Sequence, residues 1–191
     1  SVLMNKYENG QVISTTQNSQ YDPNLHWLER QETINSDDSK EITTYTYLKD
    51  FSLPTASTDP KVQALKILSD QHILTYPIET KQEIQYGSQS PKVKGGTLLT
   101  FKEFSPNKVY PFEVYQLETD ALLDKNLGNI SGSTYTIDAQ ILNNNFVFDD
   151  THFEKRVVSQ KYDAYGRILE LEKENGGSQA LLWYGNKNKP M

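Results

Sequence analysis

The chain has 191 residues, a net charge of −6 and no cysteine. That length holds one domain with a sizeable core or two small ones. The missing cysteine excludes disulfides, thiolate metal sites and a cysteine nucleophile, and the interspersed, acidic charge argues against binding a phosphate backbone.

Hydrophobic content of 36% is low for a globular domain, but the 12 tyrosines and many threonines suit the half-buried surface of a sheet. The expected class is therefore mainly β: antiparallel hairpins and a meander sheet. No apolar run approaches the ~20 residues of a membrane-spanning helix. Ser1-Val-Leu-Met4 has neither the charged nor the long apolar region of a signal peptide.

Along the chain, Tyr7 to Ile13 reads as strand, turn and strand, because Asn9-Gly10 supplies the positive φ values of a two-residue hairpin turn. Asn18 to Asn24 is polar, contains Asp22-Pro23 and reads as a loop. The clearest hairpin spans Leu25 to Lys49. His26 to Ile34 is one arm, Glu41 to Leu48 the other, and Asn35-Ser-Asp-Asp-Ser39 is a run of turn formers. In the second arm Thr43, Tyr45 and Tyr47 share one face.

Leu53-Pro54 interrupts the sheet pattern. Ser57 to Leu74 then holds the helix candidate, over about residues 59–71. Thr58 or Asp59 caps it and Pro60 suits its first turn. Val62, Leu65 and Leu68, with Ala64 and Ile67, form an apolar stripe at helical spacing, which predicts a helix packed on the sheet.

Thr75 to Tyr86, Thr97 to Ser105 and Val109 to Thr119 read as an antiparallel meander. The links are Gly87 to Pro91 with Gly95-Gly96, and Ser105 to Asn107. From Asp120 to Asp150 the pattern is irregular, with short strands expected at Tyr135 to Asp138 and Asn145 to Phe148. Asn143 to Asn145 is a turn, and the sequon Asn129-Ile-Ser131 matters only in a glycosylating pathway. Three strands close the chain: Phe153 to Tyr162, Arg167 to Glu174 and Gln179 to Tyr184. Asp163 to Gly166 and Asn175-Gly-Gly177 turn the corners. The whole reads as one β-rich domain, 1–191, with a weak subdivision into a hairpin region, 1–56, and the remainder, 57–191.

Chemistry-bearing patterns are sparse. His26, His72 and His152 lie far apart in sequence and outside any metal-ligand spacing. Asp149-Asp-Thr-His152 with Glu154 lacks the alternating oxygens and glycine of a calcium loop. The pairs Asp120/Asp124 and Glu170/Glu172 have the residue types for acid–base work, yet Glu170 and Glu172 alternate with Leu169 and Leu171 as on any half-exposed strand. Trp27, Trp183 and the tyrosines are candidate sugar platforms, since aromatic faces bury large area against a ring. Trp27 is the better exposed candidate, while Ala180-Leu-Leu-Trp-Tyr184 reads as a core strand. No catalytic, cofactor-binding or metal-binding residue is expected, and no cofactor.

Tyr162-Asp163-x-x-Gly166-Arg167-Ile168 resembles the core of the YD, or RHS, repeat, with Ile168 in place of the usual leucine. Its residues suit a turn: the tyrosine packs at a strand end, the aspartate caps turn backbone, the glycine takes a positive φ, and an apolar residue opens the next strand. Leu182-Trp-Tyr-Gly-Asn186 with Pro190 resembles the Trp-Gly-Tyr-Asn ending that follows such repeats, with the order of glycine and tyrosine reversed and Lys189 where a tyrosine is usual. Thr44 to Tyr47, Asp50-Phe51, the helix and Tyr76 to Thr80 resemble the preceding segment, and Tyr7 to Ile13 a degenerate unit.

In that family the pattern runs on past the proline, so the chain is expected to be a piece of a longer bacterial cell-surface or secreted protein. The resemblance implies a non-enzymatic structural or interaction module. Its partners would be other segments of the parent protein or a surface glycan or protein, with neither nucleic acid nor a membrane span. With one clear repeat, a closed shell built by this chain alone is not expected. The alternative is a carbohydrate-binding β domain that uses Trp27.

Overall fold

The alternation of polar and apolar residues is realised as a long antiparallel meander. The computed structural model describes residues 1–8, 11–124, 126–130, 133–136, 138–174 and 176–183. Its strands are β1 (Val2–Glu8), β2 (Gln11–Tyr21), β3 (Leu28–Ile34), β4 (Ser39–Tyr47), β5 (Pro77–Tyr86), β6 (Lys92–Ser105), β7 (Lys108–Leu117), β8 (Leu123–Asp124), β9 (Asn126–Ile130), β10 (Ser133–Thr136), β11 (Gln140–Leu142), β12 (Asn145–Val147), β13 (Phe153–Tyr162), β14 (Ile168–Lys173) and β15 (Gly177–Ala180). One 11-stranded sheet runs in the order β1-β2-β3-β4-β5-β6-β7-β13-β14-β15, with β8 added beside the start of β6. Apart from β8, each strand of this sheet thus pairs with its neighbour in sequence, except where the chain leaves after β7 and returns at β13. Mainly β, antiparallel architecture is what the composition predicted.

The sheet crosses residue 56 without a break. β4 pairs with β5 from Ser39 opposite Tyr86 to Tyr47 opposite Pro77. Between these strands the chain makes a short 3-10 turn at Leu48–Asp50 and the helix α1 (Pro60–Asp70). Asp59 starts α1 as expected: its Oδ1 accepts from the Lys61 amide at 2.8 Å, satisfying one of the free donors of the first turn. Its Oδ2 accepts from the Phe146 amide at 2.7 Å, which ties the helix start to β12.

Val62, Ala64, Leu65 and Leu68 are buried against the sheet. They meet Val93 and Leu98 of β6, Val109, Tyr115 and Leu117 of β7, Ile78 of β5 and Phe153 of β13. The hairpin β11–β12 completes this cover through Phe146 and Phe148. Each fully buried aliphatic side chain here contributes about 1.5–3 kcal/mol relative to exposure. Beyond this covered middle, β1–β3 at one end and β14–β15 at the other have no buried hydrophobic residue among those whose side chains are described.

Several boundaries differ from the sequence reading. Asn18 to Tyr21 is strand rather than loop, because β2 continues opposite β3 from Thr16–Ile34 to Tyr21–Leu28. The helix ends at Asp70, where His72 takes a φ of 57°. Gly95 and Gly96 lie inside β6, not in a linker: a Cβ on Gly96 would meet the Thr80 carbonyl oxygen at 2.8 Å, so glycine permits the close strand approach. The irregular stretch 120–150 contains β8 to β12. The last strand stops at Ala180, and Tyr184, Gly185, Asn186, Lys189 and Pro190 lie outside the described residues, as do Asn9-Gly10, Ser131 and Asn175.

Candidate functional site

The Tyr162 to Ile168 segment is the corner between β13 and β14, two strands that Asp163 joins by its backbone and its side chain. Its amide donates to the Arg167 carbonyl at 2.9 Å, and the Gly166 amide donates back to the Asp163 carbonyl at 3.1 Å. Asp163 Oδ1 accepts from the amides of Tyr165, 2.8 Å, and Arg167, 2.9 Å. Oδ2 accepts from Arg167 Nε at 2.7 Å. Burial opposes the charge on this carboxyl, but these donors and the guanidinium outweigh it and hold its pKa below the usual value.

Gly166 has a φ of +78°, and a Cβ there would lie 2.8 Å from Tyr110 Cε1. Tyr162 stacks on Tyr110 with centroids 4.6 Å apart and meets Phe104 edge-on at 4.9 Å. Its hydroxyl donates to the Pro111 carbonyl, which fastens the corner to β7. Ile168 begins β14, and its carbonyl accepts from the Trp183 indole at 2.6 Å. Arg167 is flanked by the rings of Tyr165, 5.3 Å, and Trp183, 5.7 Å. An open groove of about 400 Å³ runs past Phe104, Lys108, Tyr110, Lys161 and Tyr162. Its rings are mostly packed on one another, so their faces are engaged.

Trp27 is half-buried, not an exposed arm residue. It precedes β3 and packs on Tyr47, ring centroids 5.2 Å apart. It also closes a second turn that begins with tyrosine and aspartate, Tyr21-Asp22. The Asp22 amide donates to the Trp27 carbonyl at 2.8 Å, and the His26 amide donates to the Asp22 carbonyl at 2.9 Å. Asp22 Oδ1 accepts from the amides of Asn24, 2.7 Å, and Leu25, 2.6 Å. Its Oδ2 accepts from Lys49 Nζ at 2.6 Å, and Lys49 also reaches Glu29 at 2.6 Å.

The hydrogen bond from Lys49, with those from the Leu25 and Asn24 amides, lowers the Asp22 pKa to about 2, and the bonds to Asp22 and Glu29 raise that of Lys49. Sequence reasoning passed over this turn. The signal was present as a Tyr-Asp dipeptide before Pro23-Asn24, but its positive-φ residue is His26 rather than glycine.

A cleft of about 670 Å³ opens between α1 and the sheet, lined by Lys61, Tyr115, Phe148, Asp149, Asp150 and Lys155 among others. Bonded to three of these lining residues, Tyr115, Lys61 and Lys155, is the buried carboxylate of Glu113, which accepts from the Tyr115 hydroxyl at 2.9 Å and the Thr100 hydroxyl at 3.2 Å. Lys155 Nζ lies 2.6 Å and Lys61 Nζ 3.6 Å from it. Burial resists the charge on Glu113, yet Lys155, Tyr115 and Lys61 together hold its pKa below the usual value. Burial and the bond to Glu113 push Tyr115 up. Both oxygens of Glu113 are occupied by these partners, which suits a carboxylate that pins α1 and β13 to β7.

The remaining candidates are dispersed. Asp149 is fully buried and closes the turn before β13, where it accepts from the amide and hydroxyl of Thr151; His152 Nδ1 lies 2.5 Å from its Oδ2. Glu154 pairs with Arg156 at 3.1 Å. Among the described residues no group of three His, Asp or Glu is placed to hold a metal ion. Glu170 pairs with Lys161 at 2.9 Å and Glu172 accepts from Gln160 at 3.0 Å, both across β13. Asp124 pairs with Lys92, and Asp120 lies apart from it in a loop.

Trp183 is half-buried beside the exposed Ala180 and Leu182, so the core strand expected there is a sheet margin instead. Among the described residues no helix is long and apolar enough to cross a membrane. No family model, curated protein or solved structure matches the chain.

Proposed function

We propose that this chain is a non-enzymatic structural and interaction module of the RHS, or YD-repeat, type, belonging to a bacterial cell-surface or secreted protein. The observation that carries the reading is the pair of Tyr-Asp turns, Tyr21-Asp22 and Tyr162-Asp163, built on one hydrogen-bond plan in one continuous antiparallel sheet. A motif whose aspartate and glycine are consumed by the turn has a folding role, and here Asp163, Gly166 and Arg167 are so consumed. Of the two carboxylate pairs that the sequence offers for acid–base chemistry, Glu170 pairs with Lys161, Glu172 accepts from Gln160, and Asp124 pairs with Lys92.

A glycan array read together with tryptophan fluorescence tests this. The module reading expects no saturable glycan that quenches the signal. A saturable hit lost in Trp27→Ala would replace it with a carbohydrate-binding domain. Binding in that case would have to draw Trp27 away from Tyr47.

A further inference from the structure

Three charged side chains meet where the 120–150 excursion crosses β5. Glu79 and Lys81 of β5 are only 2% and 8% exposed, although both carry charge-bearing groups. Two residues apart on a strand, they share one face. Lys81 Nζ is in contact with Asp138 Oδ1, in the segment that leads into β11. Glu79 Oε2 accepts from the amide of the next residue, Ala139, at 3.1 Å.

Their surroundings are dry. Glu79 and Lys81 line a small pocket, with no room for a water molecule, together with Val93, Gly96, Leu117 and Phe153. Val93, Leu117, Phe153 and Ala139 are all buried. Gly96 faces Lys81 across the β5–β6 pair and brings no side chain to compete for the space. Charges taken out of water lose the hydration that favours their ionised forms. A proton passed from the ammonium to a carboxylate then leaves a nucleophilic amine against a carboxylic acid.

We propose that Lys81 and Asp138 become joined by an isopeptide bond, with Glu79 moving the protons. Lys81 Nζ attacks Asp138 Cγ; a C–N bond forms and one Cγ–O bond breaks. Of the three ammonium protons, one stays on the amide nitrogen and two leave with the carboxylate oxygen as water. No oxidant or other reactant enters. Glu79 is held near Asp138 by the Ala139 amide and near Lys81 by the strand, a placement that suits a proton carrier. The Asp138 side chain is 31% exposed, so the released water has a way out. The bond fastens the segment leading into β11 and β12, part of the cover over the sheet, to β5. It is a staple that needs no cysteine, which the chain lacks. It forms once per chain, without turnover, and does not rest on the repeat-module reading.

The intact mass of the purified chain, measured denatured, tests it. The expected mass is lower than the sequence mass by one water. Trypsin should leave residues 67–92 and 126–155 joined in one branched peptide, uncut after Lys81. Asp138→Ala should restore the full sequence mass and the cut after Lys81. Glu79→Gln keeps an oxygen for the Ala139 amide but carries no proton. It should leave most of the chain unlinked while circular dichroism retains the native β signal. The wild-type measurement decides the bond whether or not either variant folds. A wild-type chain of full sequence mass would reduce the contact to an ion pair and overturn the proposal. A lost water that maps to other residues would also overturn it. Linkage of Glu79→Gln to the wild-type extent would overturn the part given to Glu79.

Discussion

The two Tyr-Asp turns share a plan and differ in what completes it. In both, the aspartate amide and carbonyl close the corner, Oδ1 takes the amide two residues on, a positive-φ residue precedes the last, and Oδ2 takes a cation. At Asp163 the cation is Arg167, four residues away, and the tyrosine is anchored among Tyr110 and Phe104. At Asp22 the turn is one residue longer and the cation is Lys49, 27 residues away in the 3-10 turn that follows β4. Tyr21 there is 54% exposed. The aspartate of the C-terminal corner is therefore served by its own turn, although its tyrosine is fastened to β7, while the N-terminal aspartate gains its cation only once β3 and β4 have folded beside it. A local motif can be completed by distant chain as well as by its own residues.

Removing the distant cation is the strongest way to break the comparison. Lys49→Met leaves Asp22, Glu29 and Asp50 facing one another without their shared ammonium. The expected loss is about 2–3 kcal/mol in urea unfolding, the scale of a hydrogen bond to a charged group. Arg167→Met should cost less, because it takes the cation from Asp163 alone, whereas Lys49 serves three carboxylates. Equal losses would show that the two cations matter equally.

Gly166→Ala comes next. Left-handed backbone costs a residue bearing a Cβ about 1–2 kcal/mol, and the new methyl also meets Tyr110, so a loss of about 2 kcal/mol is expected. Loss of the Tyr110–Tyr162 stack should accompany it in near-ultraviolet circular dichroism.

Acid unfolding separates the aspartates more finely. Asp22 has its pKa lowered in the folded state, from 3.8 to about 2. Its contribution is therefore complete above about pH 4 and is lost as the pH falls through about 2. Asp22→Asn should remove part of that acid dependence, and a stability curve of unchanged slope between those pH values would contradict the paired state.

The smallest effect is expected at His26→Gly. Relief of the left-handed strain of about 1 kcal/mol is offset by roughly 0.5–1 kcal/mol of unfolded-chain entropy. The midpoint should hold or rise slightly, opposite in sign to Gly166→Ala. A clear fall would mean that the His26 side chain itself holds the turn.

Much of the fold could be read from local pattern. Asn35 to Asp38 turned where its residues demanded, Asp59-Pro60 started the helix, and the apolar stripe of Val62, Leu65 and Leu68 faced the sheet. The misreadings share a cause. Asn18 to Tyr21 looked like loop because its residues are polar, yet an uncovered stretch of sheet has no dry face to demand alternation. Gly95-Gly96 looked like a linker because nothing in sequence announces the Thr80 carbonyl that approaches it. Trp27 looked exposed for want of Tyr47, and Tyr21-Asp22 looked ordinary for want of Lys49.

By itself, then, the sequence determined those features whose partners lie within a few residues: turn positions, the helix cap, the β class and the Asp163 corner. Such contacts close small loops at little entropic cost, so the same residues favour them in any context. Only the tertiary structure decided which strands are neighbours across the β7–β13 excursion, where Glu113 finds Lys61 and Lys155, and how Asp59 reaches Phe146. Those arrangements depend on groups tens of residues apart, and their energies come into being only when the sheet has assembled.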